Sequence, residues 1–349
     1  MSQHYASTSF LHQLLGKAVA AEASDVHLKV GQPPGVRVAG EIVYFKVDRL
    51  GPADTEAVAR LIIGDDLSPT EFAALHEHDT AYMVEGVGRF RVNVYKQRGN
   101  FSIVLRSIPL VVPRFEQLGL PQAVSDLAQR ERGLILVVGA AGNGKSTTLA
   151  SMVDLINRSS PKHIVTIEDP VEFIHQDQRG CVSQREVGVD TGSFASALRA
   201  ALRQDPDVIL VGEIRDGETM EIAVQAAETG HLVMSTMHTP DVSRSVNRLL
   251  ALAENPGELR QRIASCLQGV IAQRLVPKVQ GGVTAALEIL IATGTVREAL
   301  RRPEQNPPLK ELMERGVTPY GMQTFKMALT SMLDAGLISA ETAQTYSSD

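Results

Sequence analysis

The spacing of apolar and polar positions changes its rhythm once along the chain. Before residue 108 a first stretch places Phe10, Leu14 and Leu15 at helical spacing, and two short strand-like runs follow at 26–30 and 36–38, with Pro33 and Pro34 between them. Residues 89–95 read Arg-Phe-Arg-Val-Asn-Val-Tyr, an alternation that predicts a half-buried strand with its arginines on one face. A small α+β domain over 1–108 is expected. Residues 109–121, PLVVPRFEQLGLP, hold three prolines and little periodicity, which predicts a linker and a natural hinge. Beyond it, the runs LILVVG, HIVTI, DVILVG and HLVMSTM alternate with helical stretches, predicting a mostly parallel sheet covered by helices over 122–349. Leu149, Met152, Val153 and Ile156 mark the core face of one such helix, and Phe194, Leu198, Ala201 and Leu202 that of another. Asp216 suits the cap of a helix running to Glu228 and stopping at Gly230. The last 90 residues or so are richer in helical pattern, ending in Phe325, Leu329, Met332 and Leu333 before Gly336.

Composition narrows this picture only in part. With 349 residues, 44% of them hydrophobic and 21% charged, the chain can build two cores and need not be disordered. A net charge of -6 argues against nucleic acid as its main partner, since phosphate binding needs a basic stripe. Cys181 and Cys266 offer neither a disulfide framework nor a paired-cysteine zinc motif, so a reducing cytoplasm is expected. The opening residues carry no secretory pattern, and runs such as 134–141 fall well short of a bilayer span. A protein that is soluble, or at most peripheral to a membrane, is expected.

The sharpest chemical signal is Gly139-Ala140-Ala141-Gly142-Asn143-Gly144-Lys145-Ser146, a full GxxxxGK[ST] pattern between an apolar run and a helical stretch. Glycines let the backbone curl so that N–H groups point inward. The helix N-terminus adds partial positive charge, Lys145 reaches the β and γ phosphates, and Ser146, followed by Thr147, suits Mg²⁺. A bound nucleoside triphosphate, ATP, follows.

Hydrolysis also needs a carboxylate near the γ phosphate. Two acidic clusters end strand-like runs, Glu168-Asp169-Pro170-Val171-Glu172 and Glu213-Ile214-Arg215-Asp216, and in an open parallel sheet both fall at the ligand crevice. By pattern alone each glutamate reads equally well as a solvated loop carboxylate or a helix cap. His238 follows another run and could sense phosphate, although a lone histidine there reads first as a hydrogen-bonded loop residue. His231 and His238 bracket one strand and point to opposite faces, which excludes a two-histidine metal pair. Arg89, Arg91, Arg98 and Arg106 fall in the first domain. They read first as a solvated strand face, and second as fingers acting on a neighbour's nucleotide in a ring.

Seven segments in order, SDVHL (24–28), RFRVN (89–93), GNGKSTTLA (142–150), TIEDPVEF (166–173), QREVGVDT (184–191), LRQDPDVILVGEIRD (202–216) and AAETGHLVMSTMHT (226–239), resemble the secretion ATPases of type II secretion and type IV pili. Within them the chain is most similar to the PilT/PilU family of retraction ATPases. The resemblance implies a PAS-like N-terminal domain, a RecA-like ATPase domain with a helical C-terminal part, and a homo-hexamer with nucleotide between protomers. It implies Glu172 as the catalytic glutamate and Glu213 as the Walker B acid acting on Mg²⁺ or its water. It implies His238 as sensor and Arg91 and Arg106 as trans arginines. It further implies an inner-membrane platform protein and other retraction ATPases as partners, with the protein cytoplasmic at the base of the pilus machine. Missing extension-type features, a longer N-terminus and a four-cysteine zinc module, favour retraction over extension. Two segments depart from the pattern: Asn143 stands where the family has a small hydroxyl residue, and TVREALRR (295–302) only partly resembles the family's AIRNLIRE-like stretch. A nucleotide-gated or accessory member with low turnover shares every nucleotide-binding residue and remains the alternative. A RecA-like nucleic-acid translocase is a further one, which the acidic charge disfavours.

Overall fold

Burial on one face only accounts for the first set of strands. A computed structural model describes residues 7–38, 40–64, 67–108 and 111–347, and the chain divides into two units, Met1–Val111 and Val112–Asp349. The first holds β1 (Asp25–Lys29), β2 (Gly35–Val38), β3 (Glu41–Tyr44), β4 (Glu77–Val84), β5 (Gly88–Gln97) and β6 (Asn100–Ile108). They form one antiparallel sheet in the order β3-β2-β1-β6-β5-β4. On β5, Phe90, Val92 and Val94 are fully buried while Arg91 is exposed, as period-two alternation dictates. Each such side chain contributes about 2 kcal/mol by leaving water. The buried face joins a core with Leu11, Leu14 and Leu15 of the helix Thr8–Ala20 and Val58 and Ile62 of the helix Pro52–Ile63.

The second unit carries β7 (Gly133–Val138), β8 (His163–Glu168), β9 (Cys181–Glu186), β10 (Val208–Val211), β11 (Leu232–Met237), β12 (Leu267–Pro277) and β13 (Val283–Ile291). The sheet order is β13-β12-β7-β11-β10-β8-β9; all neighbouring pairs are parallel except β12 with β13. Every residue of β7 and β11 is buried, which is why these strands appear as unbroken apolar runs rather than as alternation. Helices cover both faces, among them Lys145–Ser159, Phe194–Ala201 and Gly217–Glu228, the last capped by Asp216 accepting from the Thr219 N–H. The carboxyl ends of β7, β8, β10 and β11 therefore lie side by side, where ligands of open parallel sheets bind.

Two segments differ from expectation. Val112 onwards belongs to the second unit, and Phe115–Leu118 forms a 3₁₀ turn whose Phe115 packs into the core beside Leu149 and Met152, so 112–121 is part of that unit; residues 109 and 110 of the expected linker lie outside the described residues. The proline content concealed a short helical turn anchored by one aromatic ring. The helical C-terminal part starts at Gly294, because 267–291 forms the long pair β12 and β13. Ala272, Ala286, Leu287 and Leu290 are buried there on a sheet covered on both faces, so no period of two survived to separate strand from helix. Among the described residues no helix is long and apolar enough to cross a membrane.

Candidate active site

β7 delivers the chain to Gly139, and from there only glycine fits at two points. Gly139 has φ +150 and a Cβ there would lie 2.5 Å from the Gln273 carbonyl oxygen. Gly144, at φ +74, would place a Cβ 2.9 Å from Gln273 Nε2. The chain then enters the helix Lys145–Ser159, whose first N–H groups have no partner within the helix and carry its positive pole. Lys145 is 7% exposed, and its ammonium donates to the carbonyls of Gly139 at 2.9 Å and Ala140 at 3.0 Å. Burial lowers its pKa, and the nearby carboxylates of Glu213 and Glu172 pull it back up. The Asn143 side chain is accommodated at the family's hydroxyl position: its Oδ1 accepts from the Leu275 N–H at 3.2 Å.

A cleft of about 530 Å³ in the second unit brings together Gly142, Lys145, Ser146, Glu172, Glu213 and His238, with Ala141, Gly144 and Thr147 also on its wall. Glu213 is set by its neighbours' backbones, since Thr236 Oγ1 donates to the Gly212 carbonyl at 2.7 Å and the Ile214 N–H to the Thr236 carbonyl at 3.0 Å. One Glu213 oxygen pairs with Arg215. The other, Oε2, is buried without a hydrogen-bond partner and lies 3.4 Å from His238 Nε2. A buried carboxylate oxygen left over, with the Ser146 hydroxyl on the same wall, is the hard-oxygen donor set that fits Mg²⁺ and its water.

The loop bearing Glu172 hangs from β9. Gln184 accepts the His175 N–H at 2.8 Å and donates to the Phe173 carbonyl at 2.8 Å, while Glu186 accepts the Val171 N–H at 3.1 Å. Glu172 itself is exposed on the cleft. Glu168, on the same wall, is half-buried, and the desolvation this brings pushes its carboxyl pKa up against hydrogen bonds from Thr166 Oγ1 at 2.6 Å and Gln184 Nε2 at 3.1 Å.

Arg91 and Arg106 are not in this cleft. They stand opposite each other on β5 and β6, and Arg106 Nε donates to the buried Asp25 at 2.9 Å with 69% of the side chain exposed. His231 takes the structural part, its Nδ1 3.1 Å from the Ala226 carbonyl. Sequence reasoning missed His175, Phe173 and Phe194 on the cleft wall, and Gln273 behind the loop. His175 closely follows the first acidic cluster and could have been flagged; burial pushes its pKa down to about 4.

Known proteins resemble this chain over most of its length. The family described as Type II/IV secretion system protein matches residues 82–313. The chain is 41% identical over 336 residues to the type IV pilus retractation ATPase PilT of Pseudomonas aeruginosa, covering 95% of this chain and 96% of that one. It is 40% identical to the type IV pilus ATPase PilU of the same organism, covering 96% and 87%. A crystal structure of the pilus retraction motor PilT with bound ADP superposes with a TM-score of 0.89 at 42% identity, covering 97% of each chain.

Proposed function

The chain belongs to the type II/IV secretion system protein family, in its PilT/PilU branch of ATPases, and from that premise we propose that it hydrolyses ATP as a hexameric motor powering type IV pilus retraction. The convergence of Lys145, Ser146, Glu172 and Glu213 in one cleft carries this reading. Its nucleotide part is supported further by the ADP bound in the PilT structure.

In the proposed mechanism the free N–H groups of the loop and of the helix N-terminus hold the phosphates, and Lys145 turns from the Gly139 and Ala140 carbonyls to the β and γ oxygens. Mg²⁺, when bound, would supply neutralisation of the phosphate charge. Ser146 and the free Glu213 oxygen would hold it. Glu172, exposed and next to Lys145's field, orients and deprotonates the attacking water. His238, within reach of Glu213, registers the state of the γ position. Arg91 and Arg106 present an exposed cationic face that would stabilise a neighbouring protomer's phosphoryl charge. The work is passed to an inner-membrane platform protein from the cytoplasmic side, with other retraction ATPases as further partners and no nucleic acid.

Solution mass and phosphate release of the full chain, beside Lys145→Ala, test this. A hexamer whose turnover disappears in the variant is expected. An active monomer would overturn the motor reading, and turnover no greater than that of Lys145→Ala would replace it with the low-turnover, nucleotide-gated alternative.

A further inference from the structure

Gln273 lies on β12, is 2% exposed, and belongs to none of the motifs through which the chain resembles its family. Its amide makes two short hydrogen bonds, one on each side of the phosphate-binding turn. Oε1 accepts from Thr148 Oγ1 at 2.7 Å in the first turn of the helix, and Nε2 donates to the Asn143 carbonyl at 2.7 Å in the loop. Two residues further along β12, the Leu275 N–H donates to Asn143 Oδ1 at 3.2 Å. The loop is thus tied to β12 through both the backbone and the side chain of Asn143.

The first tie bears on phosphate binding through peptide geometry. A peptide is planar, with its C=O and N–H pointing in opposite directions. Holding the Asn143 carbonyl against Gln273 turns the Gly144 N–H away from β12, and Gly144 forms part of the cleft wall. The bond to Thr148 fixes the helix N-terminus to the same amide, so loop donors and helix donors keep one relative orientation. A Cβ at Gly144, already strained by φ +74, would lie 2.9 Å from this same Nε2.

We propose that Gln273 is a positioning residue for the nucleotide phosphates: from outside the loop, its amide holds the Asn143–Gly144 peptide and the helix N-terminus in the orientation that binds anions, with Asn143 Oδ1 as a second tie. The inference rests on nucleotide binding at this loop. Without the amide, the Asn143 carbonyl and Thr148 hydroxyl lose their partner, the loop relaxes, and binding must restore its order.

The test uses the full chain with Mg²⁺ and ADP, measuring affinity by calorimetry and steady-state ATP turnover in parallel. Gln273→Met keeps length and removes both hydrogen-bonding atoms, and it is expected to weaken ADP by about tenfold. KM for ATP should rise with it while kcat at saturation is kept, the signature of lost uniform binding rather than lost chemistry. Thr148→Val should weaken ADP less, and adding it to Gln273→Met should cost nothing more, because both remove the same bond. Asn143→Ala is half-exposed and tests the second tie even if Gln273→Met does not fold; about a threefold weakening is expected. ADP affinities of Thr148→Val and Asn143→Ala equal to the parent's would overturn the proposal, as would a Gln273→Met protein that melts lower yet binds ADP as the parent does. A parent chain that binds no ADP would instead sink the nucleotide site itself, an outcome distinct from these.

Discussion

Replacing Glu172 by Gln separates catalysis from folding and binding more cleanly than any other change in the cleft. The side chain is exposed, so stability should stay within about 0.5 kcal/mol of the parent. Its charge acts on Lys145 more weakly than that of Glu213. Losing a partly solvated interaction of this kind shifts ADP affinity by at most about fivefold. A positioned general base contributes roughly 10²- to 10⁴-fold to rate, which corresponds to about 3–5 kcal/mol of barrier. Phosphate release under saturating ATP should therefore fall by at least about a hundredfold while ADP binding and the melting temperature hold. Glu168→Gln is the matched control. Its Oε1 can still accept from Thr166 and Gln184, and it removes an ionisation that burial disfavours, so turnover should persist with an equal or higher melting temperature. Loss of turnover in Glu168→Gln with retention in Glu172→Gln would refute the reasoning and exchange the two roles.

Glu213→Gln should lower turnover by about 10²-fold or more and raise the Mg²⁺ concentration needed for half-activation, because it removes the charge from the carboxylate whose Oε2 is buried without a partner; unchanged Mg²⁺ titration would argue against that oxygen facing the ion. Gly139→Ala puts a Cβ 2.5 Å from the Gln273 carbonyl, so a loss of about 1–3 kcal/mol in urea unfolding is expected, together with weaker ADP binding. His175 has a folded pKa of about 4, below its ordinary value of 6.5, so the unfolded chain binds the extra proton between those values. Its contribution is present above pH 6.5 and lost as pH falls toward 4; the melting temperature should drop over that window, and His175→Leu should flatten the drop.

The phosphate loop was legible because its chemistry is local: glycines, lysine and helix start are consecutive, and a buried strand announces them by an unbroken apolar run. The β5 alternation was legible for the same reason, one face wet and one dry. What escaped is non-local or lacks a period. Gln273 meets Thr148 across 125 positions and Asn143 across 130, and nothing in the string QRLVP marks a glutamine whose partners lie that far away. β12 and β13, buried along their central residues, show no period of two, so nothing in their pattern separates strand from helix. Arg106 was readable as a cation, whereas its hold on Asp25 depends on antiparallel register between β1 and β6.

The acidic run around Asp169 makes the same point about chemistry. Glu168 and Glu172 flank Asp169-Pro170-Val171, and residue type alone cannot divide acid from bystander between them. Environment does. Glu168 ends a buried strand, holds two donors on one oxygen and is pushed toward its neutral form. Glu172 sits past the turn, exposed on the same cleft as Lys145. A carboxyl tied by two donors and a carboxyl open to the cleft are free to take different roles in one site. The difference supports Glu172 as the base and leaves Glu168 the task of holding, through Gln184, the loop on which that base stands.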